Sequence, residues 1–268
     1  MERGFDNTKA SPFWKDELPE IDPDAKKLFV EYAKMPEEGL EKHLNEVRWN
    51  AFQTNPYPCI GWCMFLKLDL KKNKEFPEAV ERTQKGEKLL DFACALGQDL
   101  RSLLFEGAPA SSLFGVDLEP NSIKAGYLLF NDKDCGITFR QADGMRDGAL
   151  EDWNGQFSMI TANLIWHVFT LEEQQKFGDV LMRLMTGKPN NLVFGRLLTS
   201  KVAPSMVKRR SGAAYLHTEA SFIQLWEDIA ARTQKKVKVE MQFAHEIDMR
   251  EAGGENPTLA FYSVRLDE

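Results

Sequence analysis

"LLDFACALGQDLRSL", residues 89–103, opens as an apolar strand interrupted by one acid, Asp91. It then passes through small residues, Ala93, Ala95 and Gly97, into a helical pattern carried by Leu100, Leu103 and Leu104. Small residues at alternate positions between a strand and a helix let backbone amides and the helix N-terminus approach a ligand without side-chain obstruction. A dinucleotide fingerprint would need the longer G-x-G-x-x-G spacing. Small-x-small-x-Gly behind an acid instead suits S-adenosylmethionine, whose carboxylate and ammonium need amides and an acid nearby. The competing reading of this stretch alone is a tight strand-to-helix connection with no ligand.

Outward from this turn the pattern alternates. Strands are predicted over 88–93, 112–117, 137–142, 157–162, 191–196, 237–244 and 258–266, with helices over 98–105, 121–130 and 171–185 between the early ones. Such repetition predicts an α/β fold, a doubly wound, seven-stranded, mostly parallel sheet. A further helix over 219–231 precedes the last two strands, which have no room for a helix between them and form an antiparallel end. Thr170 and Glu173 make a capping box ahead of Phe177, Val180, Leu181 and Leu184. Upstream, residues 1–22 read as an arm that Phe13 and Trp14 can pin. Residues 23–86 form a helical cap, with helical spacing at Leu28, Phe29, Tyr32, Ala33 and at Leu40, Leu44, Val47, Ala51, and an aromatic, proline-broken crossing segment over 52–70. Residues 87–268 form the ligand-binding α/β unit. The N-terminal helices are open to two roles, a lid or a homodimer contact.

Two further strand ends carry acids. "LFGVDLEP" ends on Asp117, at the separation where a carboxylate accepts from both hydroxyls of a ribose; Asp117 or Glu119 ahead of Pro120 also suits a helix cap. "FRQADG" ends on Asp143 and Gly144, placed to meet an adenine amino group and ring nitrogen, or to form a plain Asp-Gly turn.

Bulk properties narrow the class. The 268 residues are 43% apolar, enough for a substantial core, and the net charge of −7 disfavours nucleic acid or an anionic membrane as the main partner. The short basic stretches, 208–210 and Lys235, Lys236 and Lys238, read as solvated. Four cysteines match neither a disulfide framework nor a zinc spacing. No apolar run approaches the about 18 residues of a membrane span, and the N-terminus has no signal-peptide core. A soluble, cytoplasmic protein acting on a small molecule is expected.

The residues resemble fungal class I S-adenosylmethionine-dependent methyltransferases of terpenoid and polyketide biosynthesis, the group containing the meroterpenoid carboxyl O-methyltransferases. The resemblance rests on "NPYPCIG" at 55–61, "LLDFACALGQDLRSLLFEGAP" at 89–109, "LFGVDLEPNSIKAGYLLFNDKD" at 113–134, "QADG" at 141–144, "LIWHVF" at 164–169 and "HTEASFIQLW" at 217–226. It implies adenosyl and ribose contacts at Asp117 and Leu118, adenine contacts at Asp143 and Gly144, and a loop from Ala162 and Asn163 facing the sulfonium and acceptor. Tyr57, Asp91, Ala93 and Gly97 complete the cofactor candidates. The family commonly has glycine where Ala93 stands, which places a methyl near the methionine moiety and costs energy if φ is positive there.

For the chemistry, a carboxylate acceptor carries its own nucleophilic charge, so positioning does most of the work. A hydroxyl acceptor needs a base. His167, beyond the fourth strand, is the first candidate and His217 the second, against core roles for both; Thr218 beside His217 also suits a helix cap. His43 and His245 read as structural or exposed. Two apolar groups, Tyr57, Pro58, Ile60, Trp62 and Phe65, and Met206, Tyr215, Phe222 and Trp226, are placed to roof an apolar substrate pocket, although Phe222 and Trp226 fit core spacing better. The expected activity is O-methylation of an apolar secondary metabolite. The alternative keeps the fold as an isomerase or cyclase without methyl transfer; a non-catalytic binding subunit and a nicotinamide-dependent reductase rank lower.

Overall fold

A computed structural model describes residues 6–209, 212–244 and 257–267. His245, Arg210, the side chains of Lys208 and Arg209, and residues 1–5 of the arm lie outside them. The N-terminal part winds through α1 (Pro23–Lys27), α2 (Leu40–Thr54), α3 (Pro58–Gly61) and α4 (Phe76–Gln84), with a 3-10 turn at Asp69–Lys72. The helix expected at Leu28–Ala33 starts earlier, capped by Asp22, and is π-wound over Leu28–Tyr32. Helix α4 escaped the sequence reading because lysine and glutamate dominate the approach to it.

From there the chain alternates as β1 (Leu89–Phe92), α5 (Gln98–Phe105), β2 (Leu113–Asp117), α6 (Pro120–Phe130), β3 (Thr138–Gln141), β4 (Met159–Thr161), α7 (Leu171–Leu184) and β5 (Leu192–Ser200). A hairpin follows, β6 (Ser205–Arg209) and β7 (Gly212–Leu216), then α8 (Glu219–Arg232), β8 (Val237–Phe243) and β9 (Pro257–Leu266). The seven-stranded sheet runs β3-β2-β1-β4-β5-β9-β8, parallel through β5, with β9 and β8 antiparallel. The capping box at Thr170 and Glu173 starts α7.

Strand alternation sorts the core into layers. Leu90, Phe92, Val116, Ile160 and Val193 pack with Phe177 and Leu181 of α7 and Ile229 of α8. Leu89, Leu113, Met159, Leu192 and Phe194 face the other way, onto Leu100 and Leu103 of α5 and Phe76 of α4. The N-terminal helices build their own cluster, Leu28, Phe29, Leu44 and Phe52, against Leu129 and Phe130 of α6. The arm is pinned into this cluster: Trp14 is buried, stacks edge-on against Trp49, and lies under the Arg48 guanidinium at 3.9 Å.

Candidate functional site

Strand β1 is central, pairing with β2 on one side and β4 on the other, so its carboxyl end opens at the switch point where doubly wound sheets bind ligands. The chain leaves it through amides of Ala93 and Cys94 that both donate to Val116 O, at 2.8 and 3.0 Å. Ala93, Ala95 and Gly97 then adopt φ of 65°, 47° and 68°. The expected strain is present twice, because two of the three left-handed positions carry alanine. Arg101, fully buried, braces the turn by donating to Leu96 O and Gly97 O, and holds Asp132 in a bidentate pair at 2.7 and 2.8 Å. From the other side α6 presses in: a Cβ on Gly126 would sit 2.2 Å from Leu96 O.

Asp117 closes β2. Its Oδ2 accepts from Ala95 N and its Oδ1 from Glu119 N, each at 2.8 Å. Burial pushes this carboxyl up and the two amide bonds pull against that. Each oxygen keeps a second lone pair, the pair a ribose diol requires. Leu118 beside it is 39% exposed. Ala142 N donates to Asp117 O at 2.9 Å, which brings the end of β3 against the end of β2. Asp143 stands exposed there and accepts from Met145 N, while Gly144 is buried on Phe92, whose ring a Cβ would meet at 2.3 Å.

Asp91 behaves differently. It shares its sheet face with Leu89, the face covered by α5, and is only 2% exposed. Thr161 Oγ1 donates to it at 2.9 Å. Burial, then the charge of Asp99, hold its carboxyl well above the usual range. Asp99, in the first turn of α5, is buried too. It accepts from Asn163 Nδ2 at 2.8 Å and, more distantly, from Gln98 Nε2 at 3.4 Å, and burial raises its carboxyl to about 6. Asp91 thus stands behind the turn, and Asn163 is tied to it through Asp99. Sequence reading passed over Gln98 and Asp99, because an acid in a first helical turn is the ordinary complement of the helix dipole.

The segment 55–61 covers the β2–α6 side. The Asn55 side-chain amide and the Ser122 hydroxyl share a hydrogen bond of 2.8 Å. Tyr57 caps α3, and Cys59 lies close enough to Asp117 for that charge to add to burial in raising its thiol to about 12. Of the expected roof, Ile60 and Phe65 are buried in the N-terminal cluster. Phe222 and Trp226 are fully buried against Trp166 and Tyr262, so they are core and roof nothing. Met206 is 58% exposed on the hairpin.

His167 sits in a 3-10 turn, Trp166–Val168, partly exposed beside the post-β4 loop and anchored by buried Trp166. His217 is excluded as a base. It is 2% exposed, its Nε2 bonds Gln174 Oε1 at 2.7 Å and its Nδ1 bonds Ser221 Oγ at 2.9 Å, and burial lowers it to about 4. Thr218 caps α8, as the alternative reading required.

Fold and site define a class I S-adenosylmethionine-dependent methyltransferase. The fold is that of a 1,6-didemethyltoxoflavin N1-methyltransferase from Burkholderia thailandensis solved with S-adenosylhomocysteine, at a TM-score of 0.51 and 14% identity over 74% of this chain and 81% of that one. Residues 13–66 match the family described as the meroterpenoid methyltransferase N-terminal domain. The methyltransferase adrK of Penicillium roqueforti is 31% identical over 90% of this chain and 87% of its own length. The O-methyltransferase atr3 of Stereocaulon alpinum is 32% identical over 87% and 69%, and the asnovolin E/chermesin D methyltransferase nvfJ of Aspergillus novofumigatus 30% over 83% and 82%. The chain belongs to this fungal meroterpenoid methyltransferase family. No described helix is long and apolar enough to cross a membrane.

Proposed function

We propose that the chain methylates an oxygen, carboxylate or hydroxyl, of an apolar terpenoid or polyketide metabolite. The observation that carries this reading is the apolar N-terminal unit packed beside the β2–α6 end of the crevice, which hydrogen-bonds Ser122 through Asn55 and brings Cys59 within the influence of the Asp117 charge. The site residues fit the cofactor. Asp117 keeps lone pairs for a ribose, Gly144 packs directly on the Phe92 ring so that the exposed Asp143 sits beside it at the end of β3, and the turn presents small residues at 93, 95 and 97. Asp117 and Leu118 are assigned the ribose, Asp143 and Gly144 the adenine, and the turn through Ala93 and Gly97, with Tyr57 and Asn163 at its borders, the amino-acid end. Asp91 supports the turn from behind.

When bound, S-adenosylmethionine supplies a methyl group on a sulfonium, open to in-line displacement. The chain's contribution is orientation and exclusion of water. A carboxylate needs no proton acceptor, whereas a hydroxyl acceptor is assigned His167 as base.

The test is methyl-labelled cofactor offered with terpenoid and polyketide acids, phenols and alcohols. Alkali-labile label in the product marks a carboxyl ester and alkali-stable label on oxygen an ether. His167→Ala lowers transfer to a hydroxyl by about 10²- to 10⁴-fold and leaves transfer to a carboxylate nearly unchanged. Label on carbon or nitrogen sinks the reading; product formed without cofactor consumption selects the isomerase or cyclase instead.

A further inference from the structure

The proposed chemistry leaves the π-wound turn at Leu28–Tyr32 without a role. A π turn is rare and frequently marks a functional site. Here Ala33 N donates to Leu28 O at 3.1 Å, five residues back, and the wider turn moves Tyr32 around the axis from where an α-helix would put it. Phe29 stacks flat on Phe130 of α6, with centroids 5.0 Å apart, and Tyr32 stands edge-on to Phe130 and to Phe105 of α5. In that place the Tyr32 hydroxyl donates to Asp132 Oδ2 at 2.5 Å, the length of a charge-assisted bond to a carboxylate.

The same carboxylate grips Arg101 through Nε and Nη2, at 2.7 and 2.8 Å. The third guanidinium nitrogen, Nη1, donates to Leu96 O and Gly97 O at 2.9 and 3.2 Å. A guanidinium is planar and rigid, so fixing one edge of it fixes the other. Asp132 itself lies in a loop: it follows Asn131, which leaves α6 at a φ of 50°, and Lys133 and Asp134 beyond it are exposed. A carboxylate on such a loop needs a tie from another element to hold its orientation, and Tyr32 supplies one.

We propose that Tyr32 is a positioning residue for the cofactor: its hydroxyl fixes Asp132, Asp132 fixes the plane of Arg101, and Arg101 holds the Leu96 and Gly97 carbonyls so that the turn keeps its left-handed residues. Alanine resists the left-handed region, and Ala93 and Ala95 both occupy it, so a turn without its brace relaxes away from the shape that admits a ligand. The N-terminal unit thereby sets the β1–α5 turn from outside the α/β unit, a role other than lid or dimer contact. The inference rests on the cofactor assignment and adds to it a residue that acts through two others.

Tyr32→Phe removes the hydroxyl and keeps the ring contacts with Phe105 and Phe130. Calorimetry of the whole chain with S-adenosylhomocysteine is expected to read a loss of affinity of about three- to tenfold, the span of one hydrogen bond. The decisive measurement repeats the substitution in an Ala95→Gly chain, where glycine enters the left-handed region freely and the brace matters less. No hydrogen bond joins Tyr32 to Ala95, so independent effects would add; through the brace, the loss is expected to shrink to about twofold or less. An undiminished loss overturns the proposal, because it marks a hydroxyl that only stabilises the fold. Unchanged affinity of Tyr32→Phe overturns it too. Should that variant fail to fold, hydrogen exchange on the unmodified chain decides. Coupling is reciprocal, so S-adenosylhomocysteine is expected to slow amide exchange in residues 29–33 as well as 93–97, and protection confined to the turn sinks the idea. A parent chain that does not bind S-adenosylhomocysteine overturns the cofactor assignment along with the proposal.

Discussion

The Ala95 amide donates to Asp117 Oδ2 at 2.8 Å, so the acid at the end of β2 holds the turn that leaves β1. One carboxylate therefore shapes the loop and faces the crevice. The consequence is that the two strand ends are coupled, and a change at Asp117 is felt twice.

Asp117→Ala removes two amide bonds and the ribose acceptors together. Cofactor affinity is expected to fall by about 1 to 3 kcal/mol, the range for hydrogen bonds to charged groups. A shift of this size in a calorimetric titration with S-adenosylhomocysteine supports the placement; unchanged affinity removes Asp117 from the site.

Ala93 and Ala95 hold φ of 65° and 47°. Alanine in the left-handed region costs roughly 1 kcal/mol relative to a residue that enters it freely. Ala93→Gly and Ala95→Gly should each recover a part of that, offset by the greater chain entropy of glycine in the unfolded state. Chemical denaturation reads the sum: a gain of up to about 1 kcal/mol is expected, and a loss would show the turn is relaxed with alanine.

Gly126 lies under the turn. Its missing Cβ would fall 2.2 Å from Leu96 O, a backbone atom in a loop already braced by Arg101, so neither side yields cheaply. Gly126→Ala should cost about 1 to 3 kcal/mol of stability and weaken cofactor binding, because relief requires pushing the turn into the crevice. A variant as stable as the parent with normal affinity contradicts this packing.

His217 makes stability depend on acid. Its folded-state value, about 4, lies below the about 6.5 of an exposed histidine. Between those limits the unfolded chain binds the extra proton, so stability rises with pH through the window and is lost as pH falls. The parent should lose about 3 kcal/mol relative to His217→Gln between pH 7 and pH 4. Asp99, raised rather than lowered, acts with the opposite sign, but it cancels in this difference. Denaturation curves of both proteins at the two pH values measure it, and a constant gap would mean His217 is not held neutral.

Much of the fold is local and was legible in the sequence. The alternation from Leu89 to Arg196 follows from side-chain periodicity and turn chemistry, which each short segment carries by itself, and small residues at 93, 95 and 97 marked a tight turn open to a ligand. The hairpin at 205–216 and helix α4 were not legible, since their apolar residues are few and their partners distant in the chain. Nor was the ligand-side geometry.

Sequence spacing placed acids at 91, 117 and 143 at or just past the ends of three successive strands and made S-adenosylmethionine the expected cofactor; that these strands lie side by side is set by the sheet order. Only the tertiary structure decided which way each carboxyl turns. Asp117 points to the turn, Asp143 to its own loop, and Asp91 to the layer under α5, where it meets Asp99. The reason is that a strand's period fixes the face of a side chain but not what the opposite layer brings to that face. Asn163 reaches Asp99 from the loop after β4, the strand beside β1, a meeting set by sheet order. In the same way His217 became a neutral core residue once Gln174 and Ser221 arrived from two different helices.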